Sequence, residues 1–491
     1  MRVFLGNSPW RKEGFYGVRA GSRWPHFERC DAGYMPFPFF LAYAAAVLLE
    51  EGHEVELVDG IAEGISEEEF LNRAKNFGPE LVVLEVSTIS IDVDLACARD
   101  MKKAFPEAKV VFCGLHTEMF DNDFLEAQAD VDLVMKGEYE YTLRDLASAL
   151  EKGKQLDNVT GIFFRQNGAI TFTGDRPLIE NIDELPWPAR QFLPMENYCD
   201  TPGEIPRPSV QMWASRGCPY HCVYCAWPQI MYGSNKYRPR DPVKVIDEME
   251  HLVREDGFKS VYFDDDTFNI GKPRIMKMCS EITRRRLKVP WAIMARADTM
   301  DEEMLRALDK AGLEALKYGV ENATQEIVDR CGKALNLTKV KEMVRLTKKM
   351  GIWVHLTFMF GLAGETKETM DKTIDLALEL SPDSLQFSIV TPWPGSRFFK
   401  EVEAKGHLLS RNFAEYDGYN IAVIKTDTLN KEDLEAALRK AERLWCEHVE
   451  TRRVEYSRFG NRLKRHATNP KLFWKKLNKR IRKHRESRAA S

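Results

Sequence analysis

Short apolar runs and helically spaced stretches take turns along the first third of the chain. The runs are Val3 to Asn7, Glu54 to Asp59, Leu81 to Val86, Lys109 to Gly114 and Val131 to Gly137. This βαβ rhythm predicts an α/β, Rossmann-like open parallel sheet with helices on both faces. Ligands of such sheets bind beyond the carboxyl ends of the strands. Those ends read Asn7-Ser8-Pro9, Asp59-Gly60, Ser87-Thr88, Gly114-Leu115-His116 and Gly137-Glu138. Between about residues 150 and 206 the pattern changes. Gly161 to Phe164, a turn at Asn167-Gly168 and Ile170 to Thr173 predict a hairpin, and six prolines from Pro186 to Pro208 mark an extended connector. The alternation then resumes with strands near Val210, Val261, Ala292, Ala315, Val354 and Leu385 and with helices such as Pro242 to Arg254 and Leu337 to Met350. Some six βα units predict a full or partial (β/α) barrel whose chemistry lies at the C-terminal strand ends. Beyond Gly395 the spacing is helical, with Asn430 as an N-cap ahead of Leu434, Leu438, Ala441, Trp445 and Val449. The boundaries read as 1–148, 149–206, 207–400 and 401–491.

Composition narrows the class. At 491 residues the chain is too long for one ordinary core, and 44% apolar with 30% charged residues is the balance of a water-soluble protein. The longest apolar run, Phe37 to Leu49, is shorter than the roughly 20 residues a spanning helix needs and predicts a buried helix. Met1-Arg2 leads straight into a strand, so no export signal is expected and a cytoplasmic location follows. The net charge of −4 hides a basic tail: from Thr451 to Ser491 there are 15 Lys or Arg against two Glu. Phe473, Leu477 and Ile481 recur at helical spacing among lysines and arginines, a pattern suited to peripheral contact with an anionic membrane on its inner face. A solvated helix or a nucleic-acid contact is the competing reading, but no recognised nucleic-acid module accompanies the tail. The stretch Gly14 to His26 reads as a long loop able to close over a ligand, with Arg19, Arg23 and His26 placed to meet an anionic group.

Of ten cysteines, seven are scattered, and Cys218, Cys222 and Cys225 cluster within eight positions after a strand. Thiolates are soft ligands that suit iron–sulfur clusters or zinc. Structural zinc takes four protein ligands, usually as two pairs, and no second pair exists. Three cysteines on a four-iron cluster would leave one iron open. The C-x3-C-x2-C spacing in Arg216-Gly-Cys-Pro-Tyr-His-Cys-Val-Tyr-Cys225, with aromatic Tyr224 before the last cysteine, resembles the signature of the radical S-adenosylmethionine superfamily. The resemblance implies a 4Fe-4S cluster on these thiolates, S-adenosylmethionine on its open iron, an electron from a reductase, flavodoxin or ferredoxin, and a 5′-deoxyadenosyl radical.

The same resemblance extends along the barrel. It implies nucleoside contacts from Glu321 in Tyr318-Gly-Val-Glu-Asn322, a carboxylate partner in Arg296, and close backbone approach at Gly361. A structural ion pair with Asp298 or Asp301 is the alternative for Arg296. Asp264-Asp265-Asp266 ends the second strand, and Asp265 is the member favoured for proton transfer or binding of the methionyl amine. Gly114-Leu115-His116-Thr117 and Gly137-Glu138-Tyr139 look like the cobalamin-binding domain that precedes such barrels. Ser87 and Thr88 would then line the slot for the nucleotide tail, Gly114 and Gly137 would admit it, and Leu115, His116 and Glu138 would border it. His116 lacks an Asp two residues before it, so a hydrogen-bonding role suits it better than cobalt ligation. Loss of cobalamin from the domain stays open. The implied activity is methyl transfer to an unactivated carbon or phosphorus of a small molecule or lipid. Radical cyclisation, rearrangement or carbon–carbon coupling is the alternative on the same scaffold, and a zinc-bearing adaptor is the non-enzymatic one.

Overall fold

The computed structural model describes residues 1–12, 14–18, 26–30, 34–120, 122–166, 168–203 and 205–457. Arg19, Arg23, Asn167 and the tail pattern at Phe473, Leu477 and Ile481 lie outside them. Seven strands form the first sheet, in the spatial order Ala169–Phe172, Ile162–Gln166, Leu133–Met135, Lys109–Gly114, Leu81–Val86, Arg2–Asn7 and Glu54–Asp59. The five that precede residue 136 are parallel, with helices such as Glu67–Phe77 and Ile91–Ala104 between them. Strand Leu81–Val86 is buried along its whole length, as expected when both faces of a parallel sheet are covered. The hairpin Ile162–Gln166 and Ala169–Phe172 joins this sheet antiparallel, through Leu133–Met135. In chain order the parallel strands run 2-1-3-4-5, which reverses between Arg2–Asn7 and Leu81–Val86. Ligands of doubly wound sheets bind at that reversal.

The second sheet has six parallel strands in simple chain order: Ser209–Met212, Ser260–Phe263, Trp291–Ala295, Leu313–Glu321, Trp353–Phe360 and Ser384–Ile389. With Ser209–Met212 at one edge and Ser384–Ile389 at the other, it is a partial barrel. Helices Pro242–Arg254 and Leu337–Met350 start and stop where the apolar spacing places them, capped by Asp241 and Asn336 side chains that accept backbone N–H bonds.

The apolar run at residues 37–49 is helix Phe39–Glu50, buried from Phe39 to Leu48. Its uniform apolarity has a cause in its neighbours. Phe39 stacks on Trp213 at 4.1 Å, Phe40 meets Trp227 edge-on at 5.6 Å, and the helix also packs on helix Glu140–Glu151 and strand Glu54–Asp59. The helix is thus a shared core between the two sheets.

The stretch at residues 11–29 differs from the expected open loop: Arg11–Lys12, Phe15–Val18 and His26–Arg29 form a small antiparallel sheet. His26 is buried against Tyr34 and Tyr419 and does not present its ring at a loop tip. Contacts divide the chain into units at 1–438 and 439–491. Helix Lys431–Ser457 begins in the first, where the Asn430 side chain accepts from the Asp433 N–H at 2.8 Å. Among the described residues no helix is long and apolar enough to cross a membrane.

Candidate active site

The cysteine loop leaves a two-residue strand, Ser215–Arg216, paired antiparallel with Arg238–Pro239. Gly217 follows at φ +83°, where a Cβ would lie 2.1 Å from the Lys236 carbonyl oxygen, so only glycine fits. Cys218, Cys222 and Cys225 are all half-buried. Their backbone is held from several sides. The Gln229 amide donates to the carbonyls of Cys222, Val223 and Cys225 at 3.1, 3.0 and 2.6 Å. Val223 N–H donates to Cys331 O at 2.9 Å, and Phe398 N–H donates to Val223 O at 3.1 Å. Three soft donors on a fixed loop at the barrel mouth are a fitting set for an iron–sulfur cluster. Among the described residues no group of three or more His, Cys, Asp or Glu side chains is placed to hold a single metal ion.

Each acid or base expected at the strand ends is there, and several are engaged by the protein itself. Asp265 is fully buried and accepts from Ala214 N–H at 3.1 Å and from the Ser215 hydroxyl. Asp266 accepts from Gly217 N–H at 2.9 Å. These two carboxylates therefore fix the segment that leads into the cysteines. Arg296 forks onto Asp298 at 2.6 and 2.9 Å, and it donates to the carbonyls of Lys333 and Ala334 at 2.7 and 2.8 Å. Of the two readings for Arg296, the ion pair with Asp298 is the one present. Its guanidinium also lies 3.6 Å over the Tyr220 ring, bracing the loop.

Glu321 ends its strand at φ +69°, a costly conformation for a side chain with a Cβ. Its carboxylate accepts from Lys333 at 2.6 Å and from the Thr357 hydroxyl at 3.3 Å. Burial works against charge on Lys333, yet the Glu321 carboxylate holds its ammonium above the usual lysine range. Residues 331–334 carry no periodic pattern and no motif that would mark them in the sequence. They wall the site nonetheless: a Cβ on Gly332 would lie 2.2 Å from His221 O. The Tyr224 hydroxyl is buried with no hydrogen-bond partner among the described residues. Burial, then the neighbouring Cys222 and Glu321, raise it well above the normal tyrosine range. An orphaned donor between the cysteines and Glu321 fits a site completed by a polar cofactor. Gly361, at φ +94°, donates its N–H to Glu365 at 2.5 Å. Glu365 is buried, also accepts from Leu362 N–H and Asn322, and is pushed up to about 8 by that burial.

At the reversal of the first sheet, Ser8 donates to Asp94, Ser90 donates to the other Asp94 oxygen at 2.7 Å, and the Ser87 hydroxyl lies 3.1 Å from that of Ser90. Both amide atoms of Asn7 are buried with no partner among the described residues, an unmet demand that a polar cofactor group would satisfy. Asn7, Ser8 and Asp94 were not singled out by motif, although the first two stand at a strand end. Gly114, at φ +103°, lies so close to its neighbour that a Cβ would be 2.7 Å from Val86 O. Leu115 is buried beside it. Gly137, at φ +67°, faces Met231 O, 3.3 Å from where a Cβ would sit. His116 is buried, which pulls it down to about 3 and keeps the ring neutral. Its Nδ1 lies 3.1 Å from the Thr88 hydroxyl, and its faces meet Phe120 and Phe413. Glu138 is buried and engaged by arginines. It pairs with Arg216 at 3.1 Å and Arg238 at 2.7 Å, and Glu140 lies 2.7 Å from Arg216. This buried cluster ties the first sheet to the base of the cysteine loop.

Comparison with known proteins matches both parts of the chain. Residues 214–377 match the family model of the radical SAM superfamily, and residues 31–147 match that of the B12 binding domain. An uncharacterised methyltransferase of Pyrococcus horikoshii is 31% identical over 404 residues, which cover 82% of this chain and 86% of that protein. The anaerobic magnesium-protoporphyrin IX monomethyl ester cyclase of Cereibacter sphaeroides is 29% identical over 413 residues, 82% of this chain and 66% of that one. Among solved structures, the radical S-adenosylmethionine methyltransferase TsrM from Kitasatospora setae, with cobalamin and a [4Fe-4S] cluster bound, superposes with a TM-score of 0.64. It shares 19% sequence identity over 82% of this chain and 75% of that chain, a likeness of fold.

Proposed function

Because the chain belongs to the radical SAM superfamily and carries a B12 binding domain ahead of its barrel, we propose that it is a cobalamin-dependent methyltransferase acting on an unactivated carbon or phosphorus. The observation that carries this is the conjunction of two sites in one unit. A fixed three-cysteine loop stands at the barrel mouth, and an unmet polar demand at Asn7 marks the reversal of the preceding sheet. When bound, the cluster supplies the electron that cleaves S-adenosylmethionine to a 5′-deoxyadenosyl radical, and cobalamin carries the methyl group.

The chain's own residues bind, orient and exclude water. Cys218, Cys222 and Cys225 hold the cluster. Tyr224, Glu321 and the Gly361 turn line the nucleoside side, with Lys333 as a partner that Glu321 can release. Asp265 and Arg296 position the loop and its wall. Ser87, Thr88, Gly114, Leu115, His116 and Gly137 border the corrin slot, and the neutral His116 offers Thr88 a hydrogen bond in place of a charge. A flavodoxin- or ferredoxin-type reductase delivers the electron, the setting is cytoplasmic, and contact of the basic tail with an anionic membrane face rests on sequence alone.

Replacing Cys222 by Ala is expected to abolish 5′-deoxyadenosine formation by the anaerobically reconstituted protein. Retained cleavage would remove the assignment. The similarity to a cyclase favours one second reading, radical cyclisation without net methylation. Mass analysis of the product separates the two: a labelled methyl from S-adenosylmethionine supports transfer, and plain hydrogen loss supports cyclisation.

A further inference from the structure

A closed (β/α) barrel fills its interior with side chains. This partial barrel does so only at its floor, where Ile205, Tyr262, Ala292 and Ala315 pack together with Trp353. Above them the inward positions of the last three strands are only partly buried, whereas Asp264 at the end of the second strand is buried. Strand Trp353–Phe360 alternates strictly, with Val354, Leu356, Phe358 and Phe360 buried outward and His355, Thr357 and Met359 half-exposed. Lys317 opposes His355, which opposes Ser384; one layer higher, Thr357 opposes Gln386, and above that Met359 opposes Ser388. Ser384, Gln386 and Ser388 are partly buried as well, and the Lys317 side chain is 16% exposed.

The surface is mainly polar and electrically balanced, with Met294 opposite Lys317 and Met359 opposite Ser388 as its apolar members. Lys317 is the cation of the first layer and is paired with Asp200 at 2.5 Å; the Tyr34 hydroxyl donates to the other Asp200 oxygen at 3.2 Å. His355 carries no charge near neutral pH, because burial and then Lys317 pull it down to about 3. Its Nδ1 lies 2.9 Å from the Ser384 hydroxyl. The Gln386 carboxamide has no hydrogen bond among the described residues.

A hydrocarbon laid on this surface would strip water from the Gln386 carboxamide without replacing its hydrogen bonds, whereas the Thr357, Ser384 and Ser388 hydroxyls and His355 Nδ1 already have partners within the protein. A group so stranded costs about 1–3 kcal/mol. A polyanion would meet one ammonium that is already neutralised. Resting on the radical-enzyme reading above, we propose that the substrate lies along Lys317, His355, Gln386 and Ser388. It is an uncharged, water-soluble molecule rich in hydrogen-bonding groups, such as an amide or a polar heterocycle, and not a hydrocarbon lipid or a polyphosphate.

The test uses the reconstituted full-length protein with methyl-labelled S-adenosylmethionine and three fractions of a cell extract: water-soluble material that passes an anion exchanger, material the exchanger retains, and chloroform-soluble material. Formation of 5′-deoxyadenosine above the background without extract is expected with the first fraction. A rise with the retained or the chloroform fraction instead, or with none, overturns the proposal. A rise with the first fraction but no label in any product leaves the substrate class standing and sinks the methyl-transfer reading. Absence of even background cleavage takes both down. Gln386→Leu is expected to raise the amount of the first fraction needed for half-maximal stimulation about tenfold, the loss of one buried hydrogen bond. Ser388→Thr, which keeps the hydroxyl, is expected to stay near wild type. An unchanged requirement in Gln386→Leu counts against the surface.

Discussion

Glu365 shows how a single carboxyl group couples this site to pH. Burial pushes its pKa to about 8, against 4.5 for an ordinary glutamic acid. The folded state therefore holds the proton more tightly than the unfolded chain. The resulting stability is complete below about pH 4.5 and is lost as pH rises through about 8, at up to about 1.4 kcal/mol per pH unit. Thermal melts between pH 5 and 8.5 are expected to show the wild type losing stability with rising pH and Glu365→Gln losing less; parallel profiles would contradict this. The sequence offers the Gly361 to Thr366 turn as a place where backbone comes close. It cannot show that a carboxylate four residues on closes over Gly361 N–H, because that contact depends on how the turn folds back. Cys218, Cys222 and Cys225 are legible for the opposite reason: their meaning lies in local spacing. The positions of Asp265 and Arg296 are legible, but their protein partners are not, since these come from residues 214, 215, 333 and 334.

Among elements, the loop 331–334 is the part of the site whose sequence says least and whose packing says most. Gly332 and Gly257 share a left-handed backbone, at φ +77° and +76°. A Cβ on Gly332 would meet His221 O at 2.2 Å, whereas one on Gly257 would meet nothing within 4 Å. Gly257→Ala is thus expected to cost about 1 kcal/mol, the conformational penalty alone. Gly332→Ala should cost clearly more and should lower iron incorporation, because the cysteine loop must move. Equal melting temperatures and equal iron in the two variants would refute that coupling. Regular elements fared better at the sequence level. Helices Pro242–Arg254 and Leu337–Met350 and the parallel strands fall where periodicity puts them, since a covered face imposes its period locally. The exception is the stretch at residues 11–29, where strand pairing was decided by partners and not by pattern.

At the scale of the whole molecule, the two sheets of residues 1–438 are joined by a buried charge cluster and a shared apolar helix. Arg216 is fully buried between Glu138 and Glu140 and lies over the rings of Phe40, Tyr43 and Trp213. Arg216→Met leaves two buried carboxylates short of a partner, a change of the kind that costs about 3–5 kcal/mol. Calorimetry is expected to show residues 1–438 melting in one transition that shifts down in this variant, and an unmoved midpoint would deny the cluster its role. The order of the domains is legible from βα rhythm and motif. The cluster is not, because the partners of Glu138 lie some 80 to 100 residues away in the chain. Metal analysis and an absorption spectrum of the anaerobically reconstituted protein test most directly whether one chain holds both an iron–sulfur cluster and a corrin. Iron with inorganic sulfide, lost in Cys222→Ala, is expected together with corrin bands from the same purified chain; zinc without iron and no corrin bands would contradict the assignment.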